Sequence, residues 1–132
     1  MLAAADLSYC VLRNADLSGA SLVMADLSYA DLRGVRLERA ILSGANLAAA
    51  RLGEMAFAQM AKAGGACVTD LNHAKLTRAD LRGADLFRAN LAGARCDAAA
   101  FTDANLAGAR FVEANLTDAD FTGAVLDGAD FG

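Results

Sequence analysis

Residues 15–34 read ADLSG-ASLVM-ADLSY-ADLRG. Four times in succession Ala is followed two places later by Leu: Ala15 and Leu17, Ala20 and Leu22, Ala25 and Leu27, Ala30 and Leu32. Outward from this stretch, a Leu or Phe centre recurs every five residues from Leu2 to Leu52 and Phe57. It resumes at Leu71 and continues to Phe131. Of the 25 centres only Cys96 is neither Leu nor Phe. Ala stands two places before the centre in 20 of the 24 repeats that have that position, and Asp or Asn stands just before it in 13. A fixed short period of this kind marks a repeat architecture.

Period five excludes a helix, because at about 100° per residue each centre would lie about 140° around from the last and the leucines would spiral over every face. It also excludes a straight strand, whose side chains alternate with period two. The pattern that fits is in, out, in, out, out. Ala and Leu point inward, Asp points outward between them, and two residues turn a corner. Gly holds the second corner position in eight repeats, among them Gly19, Gly34, Gly83 and Gly93, as a turn of positive φ requires. Corners that turn the same way make a coil, and coils stack as parallel strands about 4.8 Å apart. The chain is therefore expected to be all-β. Leu81→Asp is expected to unfold it, and Asp80→Ala to be nearly silent.

The A-(D/N)-L-X-X units, as in Ala15-Asp16-Leu17-Ser18-Gly19 and Ala79-Asp80-Leu81-Arg82-Gly83, resemble the pentapeptide-repeat family. The resemblance implies a right-handed quadrilateral β-helix with four repeats per coil, about six coils here. At a spacing of 20 residues Tyr9 falls under Tyr29, Arg13 under Arg33, Phe101 under Phe121 and Phe111 under Phe131. The chain reads as one solenoid domain over 1–132: a first repeat segment at 1–57, an interruption at 58–70 and a second segment at 71–132. Within the interruption, residues 58–65 are rich in strong helix formers, and Gly64 offers a left-handed cap. A helical turn or two, or a bulged loop, is expected there.

Composition bounds the rest. Proline is absent, as expected where nearly every backbone amide pairs with a neighbouring coil. No apolar run approaches the ~20 residues of a membrane span, so no membrane partner is expected. The three cysteines, Cys10, Cys67 and Cys96, have no metal-binding spacing and read as free thiols in a reducing cytoplasm. The single histidine, His73, lies at a corner. No nucleophile, phosphate-binding or dinucleotide motif occurs, and outward carboxylates in water keep ordinary acidity. No catalysis, cofactor or metal is expected.

The net charge of −4 is unevenly placed. Residues 97–132 carry seven acids against one base, Arg110, a net of −6; residues 1–96 carry eleven bases against nine acids, a net of +2. The scattered bases argue against direct nucleic-acid binding. Two surfaces are candidates for a protein partner. One is Tyr9 and Tyr29 with Arg13 and Arg33, residue types enriched at binding hot spots. The other is the acidic end, with Asp103, Glu113 and Asp118. The family resemblance connects such acidity with DNA mimicry and protection of a type II topoisomerase, DNA gyrase or topoisomerase IV. Duplex DNA carries one charge per about 1.7 Å, or about five over the roughly 8.6 Å that 1.8 coils span. The C-terminal segment alone reaches that density. Phe111, Phe121 and Phe131 give the same end its broadest apolar layer and are the candidate interface of a two-fold homodimer.

Overall fold

The computed structural model describes residues 1–53 and 68–132. Parallel bridges join the outward residue of each repeat to its counterpart one coil later: Asp6 to Asp26, Val11 to Asp31, Asp16 to Arg36 and Ser21 to Ile41. The step is 20 residues and holds four repeats, so the coil has four faces. The first face carries Asp6, Asp26, Asn46, Asp80, Ala100 and Asp120. The second carries Val11, Asp31, Arg51, Asp85, Asn105 and Val125. The third begins at Asp16 and Arg36, the fourth at Ser21 and Ile41. No helix occurs among the described residues, and none is long and apolar enough to cross a membrane.

Ala and Leu fill the interior as the alternation requires. Leu22, Ala25, Leu27 and their successors to Phe111 are sealed from solvent and form one continuous core. Two columns of Phe rise through its C-terminal part. Phe101 stacks on Phe121 with centroids 5.0 Å apart, and Phe111 on Phe131 at 5.2 Å; the columns meet edge to face at 5.9–6.4 Å. Cys96 takes a Leu place in this core, and burial pushes its thiol up to about 12.

The backbone accounting explains the repeat's polar residue. In a typical unit, Asp26 N–H donates to Ala5 C=O in the coil before (2.9 Å). Leu27 N–H and Tyr29 N–H donate to Asn46 C=O (2.7 Å) and Ala48 C=O (3.0 Å) in the coil after. Ala30 N–H closes the turn onto Leu27 C=O (3.1 Å). Only the first corner residue, here Ser28, lacks a backbone acceptor, and Asp26 Oδ1 accepts from it at 2.9 Å. All 13 Asp and Asn residues that precede a centre do the same, at 2.9–3.4 Å. These residue types favour turns because their short side chains bond backbone two residues on. The expectation that Asp80→Ala is silent is revised accordingly. Asp80 holds the Arg82 amide at 3.1 Å and the Arg82 guanidinium at 2.6–3.1 Å.

The second corner residue is left-handed throughout. The eight glycines read from the sequence have φ of 64–70°, and 14 non-glycine residues, Tyr9, Tyr29, Arg39 and Arg78 among them, sit at φ of 55–60°. Each non-glycine residue there carries a steric cost of roughly 1–2 kcal/mol.

At the interruption the coil step lengthens from 20 to 34 residues: Arg36 bridges Asp70, and Ile41 bridges Lys75. Arg51 on the second face is thus followed by Asp70 on the third. The helix or loop expected over 58–65, the inward place given to Phe57, and Cys67 all lie outside the described residues. Thr69 and Asp70 belong to the Leu71 repeat. Thr69 replaces the usual Ala, and its buried hydroxyl donates to Leu32 C=O and accepts from Gly34 N–H, both at 3.2 Å.

Candidate functional site

Tyr9 and Tyr29 occupy the corner between the first and second faces. Their rings stack in parallel with centroids 4.9 Å apart and planes 3° apart. Both are open to solvent, at 72% and 56%, beside the exposed Val11. The backbone fixes the spacing, since Tyr9 N–H donates to Ser28 C=O in the next coil (3.0 Å). The ladder stops after two rings because Ala49 follows at the same corner position. The result is a rigid two-ring apolar ledge.

Arg13 and Arg33 lie across the second face at the next corner and turn onto Asp31. Arg13 Nε donates to Asp31 Oδ2 at 2.6 Å, and Arg33 Nε and Nη2 donate to its two oxygens at 2.8 and 2.7 Å. Burial alone would raise the Asp31 carboxyl, but these bonds outweigh it and hold the group far below the usual carboxylate range. The Arg33 side chain is only 8% exposed, against 43% for Arg13. The structure therefore keeps the tyrosines and Arg13 at the surface and commits Arg33 to the fold.

Asp103, Glu113 and Asp118 are all exposed, and each sits at a left-handed corner. They occupy three different corners: Asp103 between the first and second faces, Glu113 between the third and fourth, and Asp118 between the fourth and first. Asp127 stands at the remaining one. The acids form a collar around the coil and not a stripe along one side.

The aromatic end differs from its sequence reading at one residue. Phe111 is buried beneath Phe131, so its ring is core and not interface. Phe121 is partly covered, and Phe131 is 47% exposed.

The sequence reading missed the fourth face, whose outward residues are Ser21, Ile41, Lys75, Arg95 and Asn115. Lys75 and Arg95 lie 20 residues apart and bridge directly. The 20-residue spacing was a usable signal for that pair, but the interruption hides its continuation to Ile41. Among the described residues no group of three His, Cys, Asp or Glu side chains is placed to hold a metal ion.

Comparison with known proteins agrees with this architecture. The family model for pentapeptide repeats matches in eight copies, over residues 2–33, 20–54, 69–95 and 94–132. Among solved structures, the pentapeptide repeat protein Rfr23 from the cyanobacterium Cyanothece 51142 is 25% identical. That match covers 96% of this chain and 91% of Rfr23, with a TM-score of 0.59. HetL, a pentapeptide repeat protein involved in heterocyst differentiation regulation from the cyanobacterium Nostoc, is 37% identical over 93% of this chain, with a TM-score of 0.37. This chain spans 49% of HetL. The plasmid-mediated fluoroquinolone resistance protein QnrB1 is 20% identical over 97% of this chain and 66% of its own, with a TM-score of 0.40. No curated protein matches the chain.

Proposed function

The chain belongs to the pentapeptide-repeat family, and from that premise we propose that it is a non-catalytic protein-interaction module. In this reading the rod is a right-handed coil of about six turns in the cytoplasm, and its corners display the recognition residues. The observation that carries the proposal is the Tyr9–Tyr29 ledge: two large rings, exposed, parallel and fixed by the backbone beneath them. Tyr is enriched at hot spots because it offers a large amphipathic surface with few rotamers to freeze. Across the second face from the ledge, the Arg13 side chain is 43% exposed. Free thiols at Cys10 and Cys96 suit a reducing compartment.

Site-specific photo-crosslinking from position 29 tests this in an extract of the protein's own cells. The expected result is one adduct that saturates, is competed by unlabelled protein and disappears in Tyr9→Ser. Equal labelling from a probe at position 80 would refute it.

The acidic collar supports a second reading, in which the protein binds DNA gyrase or topoisomerase IV as a DNA mimic. Its net charge of −6 over residues 97–132 matches the roughly five charges that duplex DNA carries over the same rise. A two-fold dimer through Phe131 and the edge of Phe121 would set two collars side by side, doubling the acidic length. A gyrase supercoiling assay with and without a quinolone tests it. Charge reversal at Asp103, Glu113 and Asp118 should abolish any effect, and reversal at Asp6 and Asp16 should not.

A further inference from the structure

We propose that the fourth face is a docking site for a short acidic segment of a partner protein. The second and third faces pair opposite charges on neighbouring coils, and the first carries no base among its outward bridge residues. Arg36 Nη1 is 3.2 Å from Asp16 Oδ2, Arg51 Nη1 is 3.9 Å from Asp31 Oδ2, and Arg110 Nε is 3.9 Å from Asp130 Oδ2. The fourth face has no carboxylate among its outward bridge residues and sets Lys75 directly against Arg95. Like charges opposite one another on neighbouring strands repel, and an anion between them removes that repulsion.

The flanking corners extend the patch. Arg39 and Arg78 are exposed at left-handed positions on the two edges of this face. Lys75 and Arg78 make no ion pair among the described residues. The two carboxylates nearby are held loosely or elsewhere. Glu38 is 3.8 Å from Arg39 Nε. Asp97 is 3.9 Å from Arg95 Nε and accepts from Thr77 Oγ1 at 2.9 Å. Four exposed cations therefore meet two acids on one side of the rod.

Length selects the occupant. The cations run from the coil of Ile41 to that of Arg95, two coil steps or about 10 Å, which an extended peptide covers with about three residues. One coil further on, Glu113 and Asp118 close the patch from both corners. A nucleic acid laid along the face would run into them, and a short run of Asp or Glu side chains would not. This face lies opposite the second face, so it does not depend on the tyrosine ledge.

Fluorescence anisotropy of labelled hexaglutamate with the full chain tests the proposal. Binding at low ionic strength should weaken about tenfold in Lys75→Glu/Arg95→Glu. It should be unchanged in Arg36→Glu/Arg110→Glu, which alters net charge equally on the third face. If the first variant loses its circular dichroism signature, Lys75→Gln/Arg78→Gln replaces it, with a loss of about threefold expected. No binding, equal loss in both reversals, or tighter binding of a short single-stranded oligonucleotide than of hexaglutamate overturns the proposal.

Discussion

The first corner amide is the one backbone donor that the coil leaves without a backbone acceptor, and 13 repeats supply it from Asp or Asn. The repeat Ala99-Ala100-Phe101-Thr102-Asp103 does not, because Ala stands where the acceptor belongs. Ala100→Asn should therefore stabilise the protein. The new side chain lies between Asp80 and Asp120 in the first-face column. Its Oδ1 can accept from Thr102 N–H, as Asn46 does from Ala48 at 3.0 Å. Its Nδ2 can donate to the Asp80 carboxylate, as Asn46, Asn90 and Asn105 donate to Asp26, Asp70 and Asp85, each at 3.1 Å. Bonds of this kind contribute about 0.5–1.5 kcal/mol net, and the analogous helix cap about 1. Ordering the side chain offsets part of this, leaving about 0.5–1 kcal/mol. For a chain of 132 residues that is a rise in Tm of about 2–5 °C. Asn is preferred to Asp because a carboxylate set between Asp80 and Asp120 would repel both. Thermal unfolding followed by circular dichroism measures it. A Tm unchanged or lowered in Ala100→Asn, together with an unchanged Tm in Asp80→Ala, would refute the accounting.

Other consequences are as direct. Leu81→Asp places a charge with no partner in a sealed core and should abolish cooperative unfolding, seen as a flat thermal melt. At Gly83 a Cβ meets nothing but φ is +64°, so Gly83→Ala should cost about 1 kcal/mol in urea titration. At Gly93 a Cβ would run into the His73 imidazole, so Gly93→Ala should cost more, and His73→Ala should remove the excess. Asp31 is held well below its unfolded value of about 3.9, so the stability it contributes is complete above that pH and is lost as pH falls toward its folded value. The urea midpoint should drop between about pH 5 and pH 2, and by less in Asp31→Asn.

The fold was legible because each rule in it is local and repeated. Alternation around a two-residue corner puts Ala15 and Leu17 inside and Asp16 outside whatever the rest of the chain does, and the described residues keep that register on both sides of the interruption. What escaped was set by contacts across coils. Arg33 reads as a surface arginine, yet its side chain is 8% exposed and bonds Asp31, a carboxylate that Arg13 of the neighbouring coil also holds. Phe111 reads as end surface, yet Phe131 covers it. Lys75 reads as one scattered base until the coil sets it against Arg95. Asp103, Glu113 and Asp118 are close in sequence and diverge because each step of five residues turns the chain to a new face.

The left-handed corners connect these observations to function. A residue with a Cβ at φ near 57° costs stability that glycine would not, and eight corners avoid the cost with glycine. Tyr9, Tyr29, Arg39, Arg78, Asp103, Glu113 and Asp118 bear it. At Tyr9 and Tyr29 ring stacking returns part of the cost, since a parallel pair adds about 0.5–1.5 kcal/mol. Arg39 has only a long ion pair to Glu38, and Arg78 makes no ion pair among the described residues, so the fold gains little from either side chain. The core fixes where every corner lies, and the corners are then free to differ, which is how a uniform rod comes to present one aromatic edge, one basic face and one acidic collar.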